Sequence, residues 1–221
     1  MRDVNVEQFD IREYANRIRE LVQDWRFLIR RDGWRGTWRK IAQDALALPY
    51  RRIEFVVVAR SLAQLLPEVR AKASITVQPF AVGDLDFVRC EHLPSEAQLC
   101  AQRLARGHDG IAACIDGQIV GYAWSCTDAS LERVDLRFEP GDVLFTDAFT
   151  ASRARGQGVH TTLSEARLRA AQEQGYRRIL AYIEVNNAPS LNVWQKKMNA
   201  DIVAHITFTR IGLWRKTTYI D

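Results

Sequence analysis

The sequence has no apolar run long enough to cross a bilayer. One of its longest, Phe55-Val-Val-Val-Ala59, is followed at once by Arg60 and suits a buried strand. The first residues, Met1-Arg-Asp-Val-Asn-Val-Glu7, lack the apolar core of an export signal, so a cytoplasmic location is expected. Cysteine is scarce. Cys90, Cys100, Cys114 and Cys126 include no C-x-x-C pair, and only His92 lies close to one of them. This disfavours a zinc site or a disulfide framework, suits a reducing compartment, and leads us to expect no metal. Neither sign of charge dominates: the net charge of +4 is compatible with an anionic ligand, an anionic surface or neither. There is no internal repeat and no low-complexity tract.

What is present is a chain of 221 residues, 47% hydrophobic, enough for one large domain or a domain with an appendage. The pattern changes near Pro67 to Lys72, and we divide the chain into residues 1–72 and 73–221. From about Val6 to Arg31, apolar residues recur at helical spacing. Asp32-Gly33 interrupts them, and Trp38 to Leu48 reads as a second helix that stops before Pro49. Ile53 to Ala59 reads as a strand. In the second part Ser74 to Phe80 reads as a strand, Gly83-Asp84 opens a helix to about Glu91, and Pro94-Ser95 opens another that ends near Gly107. Ile111–Ile115 and Ile119–Trp124 flank Asp116-Gly117 and form a hairpin. A strand at Val143–Thr150, a helix at Val159–Gln174 and a strand at Arg178–Val185 follow. A short helix at Ser190–Met198 and a hairpin, Ile202–Phe208 with Leu213–Ile220, complete the order.

Between strand and helix lies Arg153-Ala-Arg-Gly156-Gln-Gly158. A helix N-terminus presents unpaired N–H groups and partial positive charge, and glycines let the backbone form a concave nest around an anion. The helix face Val159, Leu163, Ala166 and Ala170 would seat that element on the sheet. There is no Gly-Lys-Ser/Thr, so this is not a P-loop, and Thr161 stands where G-x-G-x-x-G needs its third glycine. From the residues alone, a plain strand-to-helix turn and a phosphate cradle both stand.

R-x-x-G-x-G in this position resembles the signature of the GNAT superfamily of N-acetyltransferases, and the element order of roughly residues 73–221 is similar to that fold. Glu184-Val-Asn-Asn187-Ala-Pro-Ser190-Leu-Asn-Val-Trp194 resembles the family's second motif, and Asp116 to Tyr122 its central hairpin. The resemblance extends to bacterial members with an N-terminal helical extension. It implies an α/β (α+β) GNAT fold, a mixed sheet splayed between its fourth and fifth strands. It implies acetyl-CoA as donor and transfer of the acetyl group to a primary amine by direct attack. The N–H groups of Arg155, Gly156, Gln157, Gly158 and Val159 would hold the pyrophosphate, and Arg153 would fix the loop. Ala148-Phe149-Thr150 would pair with the pantetheine amides as an added strand. Asn187 and Ser190 would contact the far side of that arm. The attacking amine must lose a proton, for which Asp147 is the nominated base and Glu184 the reserve; Asp147 could equally bond loop backbone. Relatives carry a proton-donating tyrosine where this chain has Trp194, whose indole is no useful acid. Tyr182 is the nearest substitute in sequence. His160 reads as a phosphate neighbour or a solvated residue rather than a catalyst.

The acceptor expected first is an amino sugar, then another small amine, then a protein amine. The opposing class is a non-catalytic CoA-binding scaffold. Trp25, Trp34 and Trp38 interleave with Arg26, Arg30, Arg31, Arg35, Arg39 and Lys40. These residue types suit a helical subdomain packed on the rest of the chain or on a second copy as a homodimer. Peripheral membrane contact is the next reading. No nucleic acid is expected, since no recognised module is present.

Overall fold

A computed structural model of the chain describes residues 4–8, 11–47, 50–63, 75–132, 134, 136–211 and 214–220. Its strands are β1 (Val4–Gln8), β2 (Tyr50–Ser61), β3 (Thr76–Pro79), β4 (Asp109–Ile115), β5 (Gln118–Cys126), β6 (Asp142–Thr150), β7 (Arg178–Glu184), β8 (Asp201–Ile211) and β9 (Trp214–Ile220). They form one sheet in the order β1-β9-β8-β2-β7-β6-β5-β4-β3. Its helices are α1 (Ile11–Ala47), α2 (Leu85–Glu91), α3 (Pro94–Ala105), α4 (Val159–Glu173) and α5 (Ala188–Asn192), the last running into a π-helical turn, Val193–Lys197. Every neighbouring pair of strands is antiparallel except β6 and β7, which α4 joins in parallel.

Both faces of the sheet are covered, which explains the unbroken apolar run in β2. Val56 and Val58 pack with Leu168, Phe145 and Trp194 on the α4 face, whereas Phe55, Val57 and Ala59 pack with Leu144, Leu180 and Ile206 on the other. On that second face α2 and α3 cover Tyr122 and Trp124 through Leu85, Val88, Ala97 and Cys100. The buried stripe of α4 is Val159, Leu163, Arg167 and Ala171, with Leu168 alongside. It is rotated from the expected stripe: Ala166 is half-buried and Ala170 exposed. Spacing alone admits either stripe, and the direction from which β5 and β6 approach selects one.

The opening residues differ from expectation in a second way. Val4–Gln8 is a strand paired with Trp214–Ile220, because an extended edge partner satisfies its backbone groups. The helix begins at Ile11 and continues to Ala47 with one non-helical residue, Gly33 (φ 73°, ψ 165°), at the expected break. The bend is held from both sides. Thr37 Oγ1 donates to the Gly33 carbonyl (2.8 Å), and Trp25 Nε1 donates to Asp44 (3.1 Å) across it. Asp24 accepts from the Ser95 N–H (3.1 Å) and hydroxyl (2.7 Å), docking α1 on the first turn of α3. The division expected near residue 72 lies outside the described residues. The strand preceding it, β2, is an interior member of the sheet, between β7 and β8.

The parallel pair is short. Asp142, Val143 and Leu144 pair with Arg178, Ile179 and Leu180, after which the two strands diverge. This is the splay expected between the fourth and fifth strands of residues 73–221. Its closed end is clamped by Asp142, whose carboxylate accepts from Arg178 Nε (2.8 Å) and Nη2 (2.7 Å) and from the Glu139 N–H (2.8 Å). Burial would raise the Asp142 carboxyl, but the Arg178 bonds and that N–H outweigh it and hold it below the usual range. A depressed carboxyl stabilises the fold above its unfolded-state pKa, about 3.9, and the contribution fades as pH falls through the folded value. Asp142→Asn is therefore expected to destabilise the protein by about 1–3 kcal/mol at pH 7. Urea unfolding should show that difference shrinking below about pH 4.

Candidate active site

Beyond Leu144, the edge of β6 facing β7 has no strand partner, so its backbone groups open onto a cavity of about 920 Å³. β5 pairs with the other edge through Thr150, with a register shift opposite Asp147. Asp147 itself has φ 40°, a conformation that a non-glycine residue rarely adopts and that turns its carboxylate out of the regular pleat. Asp147, Ala148, Phe149 and Thr150 all line the cavity. The Thr150 hydroxyl oxygen is buried there without a hydrogen-bond partner.

At the far end of β6 the chain turns through Ser152–Ala154 into Gly156, Gly158 and the N-terminus of α4. Gly156 (φ 78°) and Gly158 (φ 93°) occupy left-handed conformations. Those angles, which side chains resist, turn successive N–H groups toward one side. The first helical bond of α4 is Thr162 N–H to Gly158 O (2.9 Å), which leaves the N–H groups of Gly158, Val159, His160 and Thr161 without helical acceptors. Arg153 anchors the loop: it donates to the Ile119 carbonyl (2.9 Å), pairs with Glu91 and lies over the Phe87 ring. Arg155 Nε reaches the Thr150 carbonyl at 3.5 Å. The expected cradle residues Arg155, Gly156, Gly158 and Val159 line the cavity, whereas Arg153 supports them from behind. The Gln157 side chain donates back to the Arg153 carbonyl (3.2 Å) and is not among the lining residues.

Across the opening, Asn187 Oδ1 caps α5 by accepting from the Ser190 N–H (3.3 Å), and both residues line the cavity. The π-helical turn buries Trp194 edge-on to Phe145, with ring centres 5.9 Å apart. Glu184, at the end of β7, also lines the cavity. The elements thus bring together both nominated carboxylates, the β6 edge, the cradle and the Asn187–Ser190 segment.

The wall formed by α3 and the loop after β5 holds residues that sequence reasoning did not single out. Arg103, almost fully buried, donates to Glu132 Oε1 (2.9 Å) and pairs with Asp147, whose side chain stays 39% exposed. Glu132 in turn accepts from Thr146 Oγ1 (3.0 Å) and from the Tyr182 hydroxyl. Burial opposes the Arg103 charge, but Asp147 and Glu132 more than offset it and raise its pKa. Tyr182 is pushed well above its ordinary range, by burial first and then by Glu132 and Asp147. A phenol already donating to a carboxylate is a poor source of a proton for a leaving group. Arg103 carried one legible signal, an arginine three residues after Cys100 within the apolar face of α3. Glu132 lies in an irregular loop whose pattern says nothing of its destination.

On the α4 wall, His160 is half-buried rather than solvated. Burial, then Arg167 and Lys197, lower its pKa to about 4, so the ring is neutral at pH 7. Lys197 Nζ donates to Thr161 Oγ1 (3.3 Å). Among the described residues, no group of three or more His, Cys, Asp or Glu side chains is arranged to hold a metal ion. No described helix is long and apolar enough to cross a membrane.

Comparison with known proteins agrees with the fold. The chain is 28% identical to the mycothiol acetyltransferase of Nocardioides sp., over 72% of this chain and 62% of that protein. It therefore spans about three-fifths of that relative's length. Among solved structures, the fold is similar to a GCN5-related N-acetyltransferase from Sphaerobacter thermophilus (TM-score 0.52, 16% identity, 82% of this chain and 55% of that one). It is also similar to a tandem GNAT protein from the clavulanic acid biosynthesis pathway (TM-score 0.51, 16% identity, 80% and 57%). The model of the acetyltransferase (GNAT) family matches residues 82–200, more than half of the chain and the whole span from α2 to the π-helical turn, and the protein belongs to that family.

Proposed function

We propose that this protein is an acetyl-CoA-dependent N-acetyltransferase acting on the primary amine of a small molecule. The observation that carries the reading is the arrested pairing of β6 and β7. It sets an unpaired strand edge beside an N–H cradle, with carboxylates on the opposite wall. The residues fit the donor. The N–H groups of Gly158 to Thr161 suit a pyrophosphate, and the free edge at Ala148–Thr150 suits the amides of a pantetheine arm, as does the unpartnered Thr150 hydroxyl. When bound, acetyl-CoA supplies an activated acetyl thioester.

The acceptor wall is acidic: Glu96, Glu132, Asp147 and Glu184 line the cavity with Arg103. Such a wall attracts an ammonium ion, which must then lose a proton to become a nucleophile. Asp147 is the base we favour, because Arg103 and the positive φ aim its partly exposed carboxylate into the cavity. Glu184 is the reserve. Backbone N–H groups along the open edge of β6 would polarise the carbonyl under attack. A cavity of about 920 Å³ suits a small molecule beside the donor arm better than a protein surface. A relative named for mycothiol supports the same choice, and an amino sugar remains the first candidate. We read residues 73–221 as the acetyltransferase domain and residues 1–72 as an extension whose strand β2 completes its sheet.

Release of free thiol from acetyl-CoA across a panel of amines tests the reading. CoA binding without turnover for every amine would instead identify a CoA-binding scaffold. Gly158→Asp puts a side chain and a negative charge where the anion sits, at a φ that resists any side chain. Calorimetry should show CoA affinity reduced roughly a hundredfold or more, with a cooperative thermal transition retained. Asp147→Asn should lower kcat by roughly 10² to 10⁴ while leaving CoA affinity unchanged, and Glu184→Gln should do less. The reverse order in those two variants would transfer the base role to Glu184.

A further inference from the structure

Arg167 is a buried cation with no ion-pair partner among the described residues. It stands on the inward stripe of α4, 4% exposed, between the cradle and the π-helical turn, and it lines the cavity. One guanidinium nitrogen donates to the carbonyls of Trp124 (2.8 Å) and Thr146 (3.4 Å), and Nε has no partner. The guanidinium carbon lies 4.4 Å from the centre of the Phe145 ring, which in turn packs against Trp194. The contrast with Arg103 and Arg178 is plain, since each of those faces two carboxylates. An uncompensated buried charge is strongly disfavoured, and burial brings the Arg167 pKa down to about 9. Two carbonyls could be bridged by a neutral amide side chain. A guanidinium retained there has use for an anion that arrives in the cavity.

The chemistry of the site produces one. The acceptor nitrogen forms a bond to the thioester carbonyl carbon, the C–S bond breaks, and its electron pair leaves on sulfur. Of the two protons that the ammonium ion loses on the way to the amide, Asp147 takes the one removed before attack and passes it to solvent, and the second goes to water on the same wall. Neither aromatic group nearby is a ready proton source for the sulfur: the Trp194 indole is not an acid, and the Tyr182 hydroxyl is engaged by Glu132. Resting on the CoA-dependent reading above, we propose that Arg167 receives the departing sulfur as a thiolate, charge compensation taking the place of protonation. The thiolate is protonated from solvent on release. The other titratable groups on this wall are His160, neutral at pH 7, and the exposed Lys197, tethered to Thr161.

The test measures the bound product, not turnover. The ultraviolet absorbance of the thiolate is followed against pH for CoA bound to the full chain, with desulfo-CoA as blank. In the wild type the midpoint should lie at least about one pH unit below that of free CoA, a tenfold preference for the thiolate. Arg167→Met should abolish that displacement, Arg167→Lys should keep part of it, and Lys197→Met should change it little. If Arg167 only ties β5 to β6, Arg167→Met lowers the melting temperature while the bound thiol titrates as in the wild type, and the proposal is wrong. Should Arg167→Met fail to fold, the wild type decides alone: a midpoint at or above that of free CoA overturns the proposal. A wild type that binds neither CoA nor desulfo-CoA refutes the donor assignment itself, and the proposal falls with it.

Discussion

Two parallel strands that pair for three residues and then part leave backbone donors and acceptors facing nothing. Buried peptide groups must find partners, so such an opening persists only when the rest of the fold holds it and a ligand or water can fill it. Several elements hold it here. Asp142 and Arg178 close the narrow end. β5 restrains β6 along its other edge, and β2 restrains β7 through its full length. Because each strand is satisfied on its outer side, neither can swing inward to zip the gap shut.

The same divergence separates two kinds of chemistry. One wall, from α4 and the π-helical turn, offers helix N–H groups, Arg167 and Lys197. The other, from α3, β7, the loop after β5 and Asp147 of β6, offers Glu132, Asp147 and Glu184 organised in part by Arg103. The reaction we propose begins with an ammonium ion and an anionic donor, and so needs both polarities within reach of one carbonyl. Neither wall has to adapt to the other, since an open strand edge lies between them. The kinked α1 serves this arrangement indirectly: Asp24 fixes the first turn of α3, the helix that carries Arg103.

The part of this legible in the residues was what local rules encode. Asp116-Gly117 between apolar runs is a hairpin turn, and Gly156 and Gly158 lie where the chain needs left-handed backbone before a helix. The polar network could not be read in the same way. Arg103 and Glu132 are 29 residues apart, in a helix and an irregular loop, and meet only because α3 and that loop cover the same end of the sheet. Arg167 was hidden by the choice of stripe, for a reading that favours apolar residues passes over an arginine at a core-facing position. Val4–Gln8 misled in the opposite sense: its spacing continues that of the helix, but a strand partner more than 200 residues away outweighs that preference.

By itself the sequence determined the kinds and order of the elements after Val4–Gln8, the glycine turn before α4 and the family's signature. These depend on residues close together in the chain, where periodicity, turn chemistry and helix termini act. Tertiary structure alone decided that β2 enters the sheet between β7 and β8, that α4 presents Arg167 to the cavity, and that Arg103 joins Asp147 to Glu132. Those outcomes depend on which surfaces exclude water together and which buried charges find partners, and both are settled only when distant segments pack.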